Sequence, residues 1–133
     1  MTDIRVGIVG CGDRGRGHMR VLQTFDDVEL AAVCDPFAAS RDQAGAEFEI
    51  ARRYKTVEAM LDAEDLDAAI VATPAHLNAP SALSCLARGI DTLLEKPPGL
   101  SLDETHALKE TAAQSGARGM VGWNRRFDPY VSR

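Results

Sequence analysis

The chain has 133 residues, 45% of them hydrophobic, which is enough for one compact domain around a single core. Acidic residues outnumber basic ones by 20 to 15, and the net charge of −5 leaves no basic footprint for nucleic acid or an anionic membrane. No apolar run approaches the roughly 18 residues of a membrane span, and Met1-Thr2-Asp3 leads straight into a strand pattern rather than a secretory leader, so a cytoplasmic protein is expected.

A strand is expected over Ile4–Val9, followed by a tight turn over Gly10–Gly15. A helix follows from about Arg16 to Phe25, with Met19, Leu22 and Phe25 on one face. Val28–Cys34 is a second strand, and its near-continuous apolar character suits burial on both faces, as in a parallel sheet. Phe37–Phe48 is helical, and a weak third strand lies near Ile50. A short helix begins after Thr56, and Ala68–Ala72 is a fourth strand. Ala79, Ala82, Leu83, Leu86 and Ala87 then form the stripe of a helix packed on a sheet, with Gly89 placed to end it. Thr92–Glu95 is a fifth strand, Ser101 and Glu104 form a capping-box pattern for a helix ending at Gly116, and Met120–Gly122 belongs to a sixth strand. Cys11, Cys34 and Cys85 are odd in number and widely spaced, which fits neither a disulfide framework nor a zinc site, so buried thiols are expected and no metal.

Parallel strands need crossovers, and right-handed crossovers put helices on both faces, so the expected fold is α/β, a doubly wound parallel sheet of the Rossmann type. Gly10-Cys11-Gly12-Asp13-Arg14-Gly15 fits G-x-G-x-x-G, in the strand–turn–helix context that gives this pattern weight. Gly10 permits the tight turn, Gly12 lets the backbone approach a pyrophosphate, and Gly15 lets helix and strand pack closely. The N-terminus of the helix that follows offers free N–H groups to the phosphates, and Asp13 and Arg14 of the loop are expected beside the cofactor. Asp35 ends the second strand twenty positions after Gly15, where a carboxylate accepts the ribose hydroxyls of a dinucleotide and repels a 2′-phosphate. The cofactor expected is therefore NAD rather than NADP. No Arg or Lys follows Asp35 before Arg41. The competing reading of Asp35 is a turn residue ahead of Pro36.

Three further strand ends carry unusual residues: Thr73-Pro74-Ala75-His76 after strand four, Glu95-Lys96-Pro97 after strand five, and Trp123-Asn124-Arg125-Arg126-Phe127 after strand six. Ligands of open α/β sheets bind outside the strands' carboxyl ends, so these residues are expected to converge near the nicotinamide half of the dinucleotide. With the glycine loop, Val33-Cys34-Asp35-Pro36, Thr73-Pro74, Glu95-Lys96-Pro97 and Asn124-Arg125-Arg126-Phe127-Asp128-Pro129, the sequence resembles the glucose–fructose oxidoreductase / inositol dehydrogenase (Gfo/Idh/MocA) family. Glu-Lys-Pro is the most specific of these motifs.

The resemblance implies an oxidoreductase that moves a hydride between NAD(P) and a sugar, cyclitol or related polyol. Lys96 would touch the reacting substrate hydroxyl, Thr73 and Pro74 would line the dinucleotide, and Glu95 would help hold the nicotinamide side. Where the family commonly carries His, this chain has Asn78, with His76 two positions earlier. His76 and the Arg125-Arg126 pair, beside Asn124, stand between cofactor contact and solvated surface. His18 and His106 lie on helical patterns and read as surface or packing residues. A lysine does acid–base work near neutral pH only if its environment lowers a reference pKa of about 10.4.

The resemblance also implies a second, substrate domain that these 133 residues do not contain. Residues 1–122 would be the NAD(P)-binding domain and 123–133 the start of a connection, with the chain alone binding but not turning over. Trp123, Phe127 and Tyr130 would then form an open apolar patch, for which a homo-oligomer is one cover and fraying of the tail the other. Two alternatives remain open: a non-catalytic dinucleotide sensor, and an NAD-dependent glycosidase of the same superfamily, which the Asp13-Arg14-Gly15 loop weakly resembles.

Overall fold

The computed structural model describes residues 3–131. Strands and helices alternate as β1 (Ile4–Val9), α1 (Asp13–Leu22), β2 (Val28–Cys34), α2 (Ala38–Glu47), β3 (Arg53–Tyr54), α3 (Val57–Ala63), β4 (Ala68–Val71), α4 (Ala75–Ala87), β5 (Asp91–Leu94), α5 (Leu102–Ser115) and β6 (Gly119–Val121), followed by a 3-10 turn at Asn124–Phe127. The strands form one sheet in the order β3-β2-β1-β4-β5-β6, and every pairing is parallel. The order reverses between β1 and β4, which opens a crevice at the carboxyl ends of those two strands.

Each face of the sheet has its own core. Met19 of α1 and Ala44 of α2 pack with Val6, Ile8, Val33 and Ile70 on one side. Met60, Ala82, Cys85, Leu86 and Leu108, from α3, α4 and α5, pack with Val9, Cys34, Val71 and Leu94 on the other. Ile8 is fully buried in the central strand, between Val33 and Ile70 in register, a burial that contributes about 1.5–3 kcal/mol.

The expected elements are all present, with shifted ends. α1 starts at Asp13 rather than Arg16, because Gly12 is extended (φ −72, ψ −171) and serves as N-cap, leaving Gly15 inside the first turns. It stops at Leu22, so Phe25 is 52% exposed instead of sharing the inner face. The third strand is at Arg53–Tyr54, not Ile50; Ile50 packs into the core as an irregular residue. On α4, Ala87 is exposed and Asn78 and Cys85 join Ala79, Ala82 and Leu86 on the buried face. The Ser101 hydroxyl caps α5 by accepting from Glu104 N–H at 3.2 Å, but the Glu104 carboxylate returns to Leu100 N–H rather than to the cap residue. Gly89 and Gly116 end their helices at positive φ.

Helices cover both faces unequally. On the α1 side, β4, β5 and β6 are left open near their amino ends, and Ile4, Val6, Leu22, Ile70, Leu93 and Met120 line a groove of about 990 Å³ there. Beyond β6, Trp123, Phe127 and Tyr130 are exposed, as expected of an aromatic segment that its own domain does not bury. Among the described residues no helix is long and apolar enough to cross a membrane.

Candidate dinucleotide site

The first turn after β1 is shaped by its backbone. Gly10 has φ +97, and a Cβ there would lie 2.3 Å from the carbonyl oxygen of Ala72, at the end of the neighbouring strand β4. Only glycine lets the loop and the β4 end approach this closely. A Cβ on Gly15 would lie 1.9 Å from the Gly10 carbonyl oxygen, so the helix can sit against the loop only without one. Gly12 is the opposite case: a Cβ there would meet nothing within 4 Å. The space in front of Gly12 is open, and no side chain caps α1. An uncapped helix start facing open space, with Asp13 and Arg14 in its first turn, is a place for an anionic group.

Asp35 stands beside that loop, only 8% exposed. Its Oδ2 accepts from Cys11 N–H and its Oδ1 from Phe37 N–H, each at 2.9 Å. The carboxylate is thus fixed to the glycine loop, and each oxygen keeps a lone pair for a ribose hydroxyl. Arg41 is also here: its guanidinium donates to the Asp35 backbone carbonyl at 2.7 Å. The turn at 36–37 and the first turn of α2 bring this base back to the acid, so its distance of six positions in sequence does not remove it from the site. Next to them, the thiols of Cys11 and Cys34 are buried, as expected. Burial first, then the Asp35 carboxylate, pushes each up to about 12, so both remain protonated near neutral pH. Among the described residues no group of His, Cys, Asp and Glu is arranged to hold a metal ion.

The ends of β4 and β5 carry a connected polar cluster. Glu95 is 6% exposed, and its Oε1 meets His18 Nε2 at 2.9 Å and Arg14 Nε at 3.1 Å. Both partners come from α1, four residues apart and therefore on one helix face. His18, read from its helical pattern as a surface or packing residue, is half-buried against Glu95; the spacing of Arg14 and His18 was the available signal for this contact, but it points nowhere until the buried Glu95 is known. Thr73 Oγ–H donates to Asn78 Oδ1 at 2.9 Å, and Asn78 Nδ2 donates to the carbonyls of Glu95 and Pro97, each at 3.1 Å. Lys96, between those carbonyls, is exposed, as are Pro74 and His76. Asn124 lines a cavity of about 430 Å³ together with Asp13, Arg14, His18, Glu95 and Trp123. Arg125 is exposed on the 3-10 turn and does not line it. The structure thus brings Glu95 and Asn124 together with Asp13 and Arg14 around this cavity, ties Asp35 to Cys11 of the glycine loop and Thr73 through Asn78 to the Glu95 carbonyl, and leaves Pro74, His76, Lys96 and Arg125 exposed outside the cavity. The larger groove lies at the other end of the strands and includes none of these residues.

The open space at Gly12, the uncapped helix and the buried acid at the β2 end fit a dinucleotide. The sequence matches, over residues 4–123, the Gfo/Idh/MocA oxidoreductase family with its NAD-binding Rossmann fold. The chain belongs to this family. The chain is 35% identical to the rhizopine catabolism protein MocA of Rhizobium meliloti in an alignment of 134 positions that covers 100% of this chain and 41% of that protein. It is 28% identical to a glycosyl hydrolase family 109 protein of Shewanella pealeana, over 96% of this chain and 30% of that one. The scyllo-inositol dehydrogenase of Lactobacillus casei, solved with bound NAD(H) and scyllo-inositol, superposes with a TM-score of 0.88 at 27% identity, over 96% of this chain and 38% of that one. The chain thus spans well under half the length of these relatives, and residues 4–123 of it match the NAD-binding Rossmann fold of the family.

Proposed function

We propose that this chain is the NAD-binding domain of an oxidoreductase that acts on a sugar, cyclitol or related polyol. The observation that carries this is the pairing of an uncapped α1 start, open at Gly12, with a buried Asp35 tied to the same loop by the Cys11 N–H. The loop N–H groups, at Gly12, Asp13 and Arg14, hold the pyrophosphate, and Asp35 accepts the adenosine ribose hydroxyls. Thr73 and Pro74 line the dinucleotide across the crevice from Gly10. Glu95, Asn124 and the rim residues His76 and Arg125 flank the nicotinamide side.

When bound, NAD supplies the two-electron oxidation of an alcohol. Lys96 donates from Nζ to the reacting hydroxyl oxygen and orients it. Residues 1–122 are the binding unit in this proposal, and 123–133 lead away from it. Relatives that act on inositol support a polyol as partner, and the net charge of −5 favours a small neutral ligand over nucleic acid. The exposed Trp123, Phe127 and Tyr130 support burial of this end against a further protein surface, a second copy included.

The likeness to the glycosyl hydrolase family 109 protein favours a second reading, an NAD-dependent glycosidase that oxidises its sugar transiently and reduces it again. The full-length protein distinguishes the two: a dehydrogenase accumulates NADH with its substrate, and the glycosidase does not.

Calorimetric titration with NADH and NADPH tests the binding role. NADH is expected to bind more tightly, by roughly tenfold, with Arg41 near the ribose keeping the gap from being larger. Asp35→Ala should narrow the gap by removing both the hydroxyl acceptor and the repulsion of a 2′-phosphate. Equal or reversed affinity in the unchanged chain would remove Asp35 from this role.

A further inference from the structure

Asn78 sits in the first turn of α4 with 1% of its surface exposed, where the family commonly carries His. Its side chain does not cap its own helix, whose N-cap is Pro74 without a side-chain bond. It reaches instead to the end of β5. Nδ2 donates to the Glu95 carbonyl and to the Pro97 carbonyl, at 3.1 Å each, and Oδ1 accepts from the Thr73 hydroxyl at 2.9 Å. The two carbonyls belong to the residues on either side of Lys96. The Lys96 side chain itself is exposed and has no hydrogen-bond partner among the described residues, so what fixes its direction is the backbone that carries it.

A primary amide is suited to this task. Its NH2 has two hydrogens and can grip two carbonyls at once, while its oxygen takes a third bond. The two carbonyls decide which way the amide faces, because only the Nδ2 end can donate to them, and the Thr73 hydroxyl then donates to the Oδ1 end. An imidazole has one hydrogen per ring nitrogen and would hold one carbonyl at most from that edge. A buried apolar side chain would leave both carbonyls unpaired.

We propose that Asn78 is a positioning residue for Lys96: it clamps the Glu95-Lys96-Pro97 turn to the end of β4, and through Thr73 ties that turn to the segment lining the dinucleotide. Asn78 touches no ligand in this role. It sets the wall against which the nicotinamide end packs. The inference rests on the NAD-binding role proposed above.

The experiment compares NADH with ADP-ribose, which carries the pyrophosphate and adenosine but no nicotinamide. Both are titrated into the unchanged chain and into Asn78→Ala, Asn78→His and Asn78→Asp. A misplaced turn should weaken NADH by about tenfold in Asn78→Ala, the scale of one lost set of buried hydrogen bonds, while ADP-ribose stays within about twofold. Asn78→His, which keeps one donor, should recover part of the loss, and Asn78→Asp, which keeps the shape but puts an acceptor against both carbonyls, should weaken NADH at least as much as Asn78→Ala. If Asn78→Ala does not fold, the other two variants carry the same test. A role confined to fold stability predicts that NADH and ADP-ribose weaken together; that result, or unchanged NADH affinity in all variants, overturns the proposal. Failure of the unchanged chain to bind either ligand would instead overturn the NAD-binding role.

Discussion

The two halves of the sheet's carboxyl edge are built differently. At the β1–β2 side the polar groups are held by the chain itself: Asp35 is buried with both oxygens bonded to backbone N–H groups, and two glycines lock loop, helix and β4 end together. At the β5–β6 side Lys96, Asn124 and Arg125 stand exposed, with Asn124 alone of the three lining the open cavity there, and only their backbone supports are internal. Pre-organised groups bind without first having to be ordered, whereas catalysis also needs a wall that holds substrate at near-attack distance and excludes water. The first half is therefore equipped to bind by itself, and the second to react only once something covers it.

The largest expected effect separates packing from ligand approach within the first half. Gly15→Ala places a Cβ against the Gly10 carbonyl and should cost about 1–3 kcal/mol of stability, read as a lower unfolding midpoint. Gly12→Ala meets open space at an ordinary φ of −72, so its stability should change by no more than about 1 kcal/mol while NADH affinity falls by roughly tenfold or more. Equal stability losses in the two variants would break the distinction between a packing glycine and a ligand-facing one.

A much smaller effect belongs to the opposite end of the strands. Asp91 accepts from Arg118 Nε and from Arg118 N–H, each at 2.7 Å. The guanidinium bond first, and the backbone N–H second, hold its carboxyl below the ordinary carboxylate range. A depressed carboxyl contributes stability above its unfolded pKa of about 3.9, and the contribution is lost as pH falls through the lower folded value. Arg118 is exposed, so salt should screen most of it. Carboxyl NMR titration should find Asp91 below an unpaired aspartate and returning toward it in Arg118→Ala, with NADH affinity unchanged. Asp91 titrating above the ordinary range would contradict the pairing, and a change in NADH affinity would contradict the separation of the two ends.

Local rules made half of this legible in the sequence. Val28–Cys34 is the second strand to the residue because a doubly buried parallel strand is a continuous apolar run. Gly15 packs against the Gly10 carbonyl five residues away, the close packing its spacing predicts, whereas the constraint on Gly10 comes from Ala72 across the sheet and Gly12 faces open space. Partnerships across the sheet were not legible in the same way. Nothing near His18 in sequence announces Glu95, which lies 77 positions later, and Asn78 finds its carbonyls 17 and 19 positions on. Arg41 returns to Asp35 only because α2 begins between them. Two-residue β3, expected near Ile50, lies at Arg53–Tyr54, because a strand that short has no period to fix its place.

Where NADH sits on the chain is the most direct measurement of the binding role, and amide chemical shifts of the isotope-labelled chain record it during titration. Shifts are predicted at Gly10, Gly12 to Gly15, Asp35 and Thr73, with smaller ones at Lys96 and Gly122, and none at Arg5, Asp67 or Arg118 beside the groove at the strands' amino ends. Shifts confined to that groove, with the glycine loop and Asp35 silent, would contradict binding at the carboxyl edge.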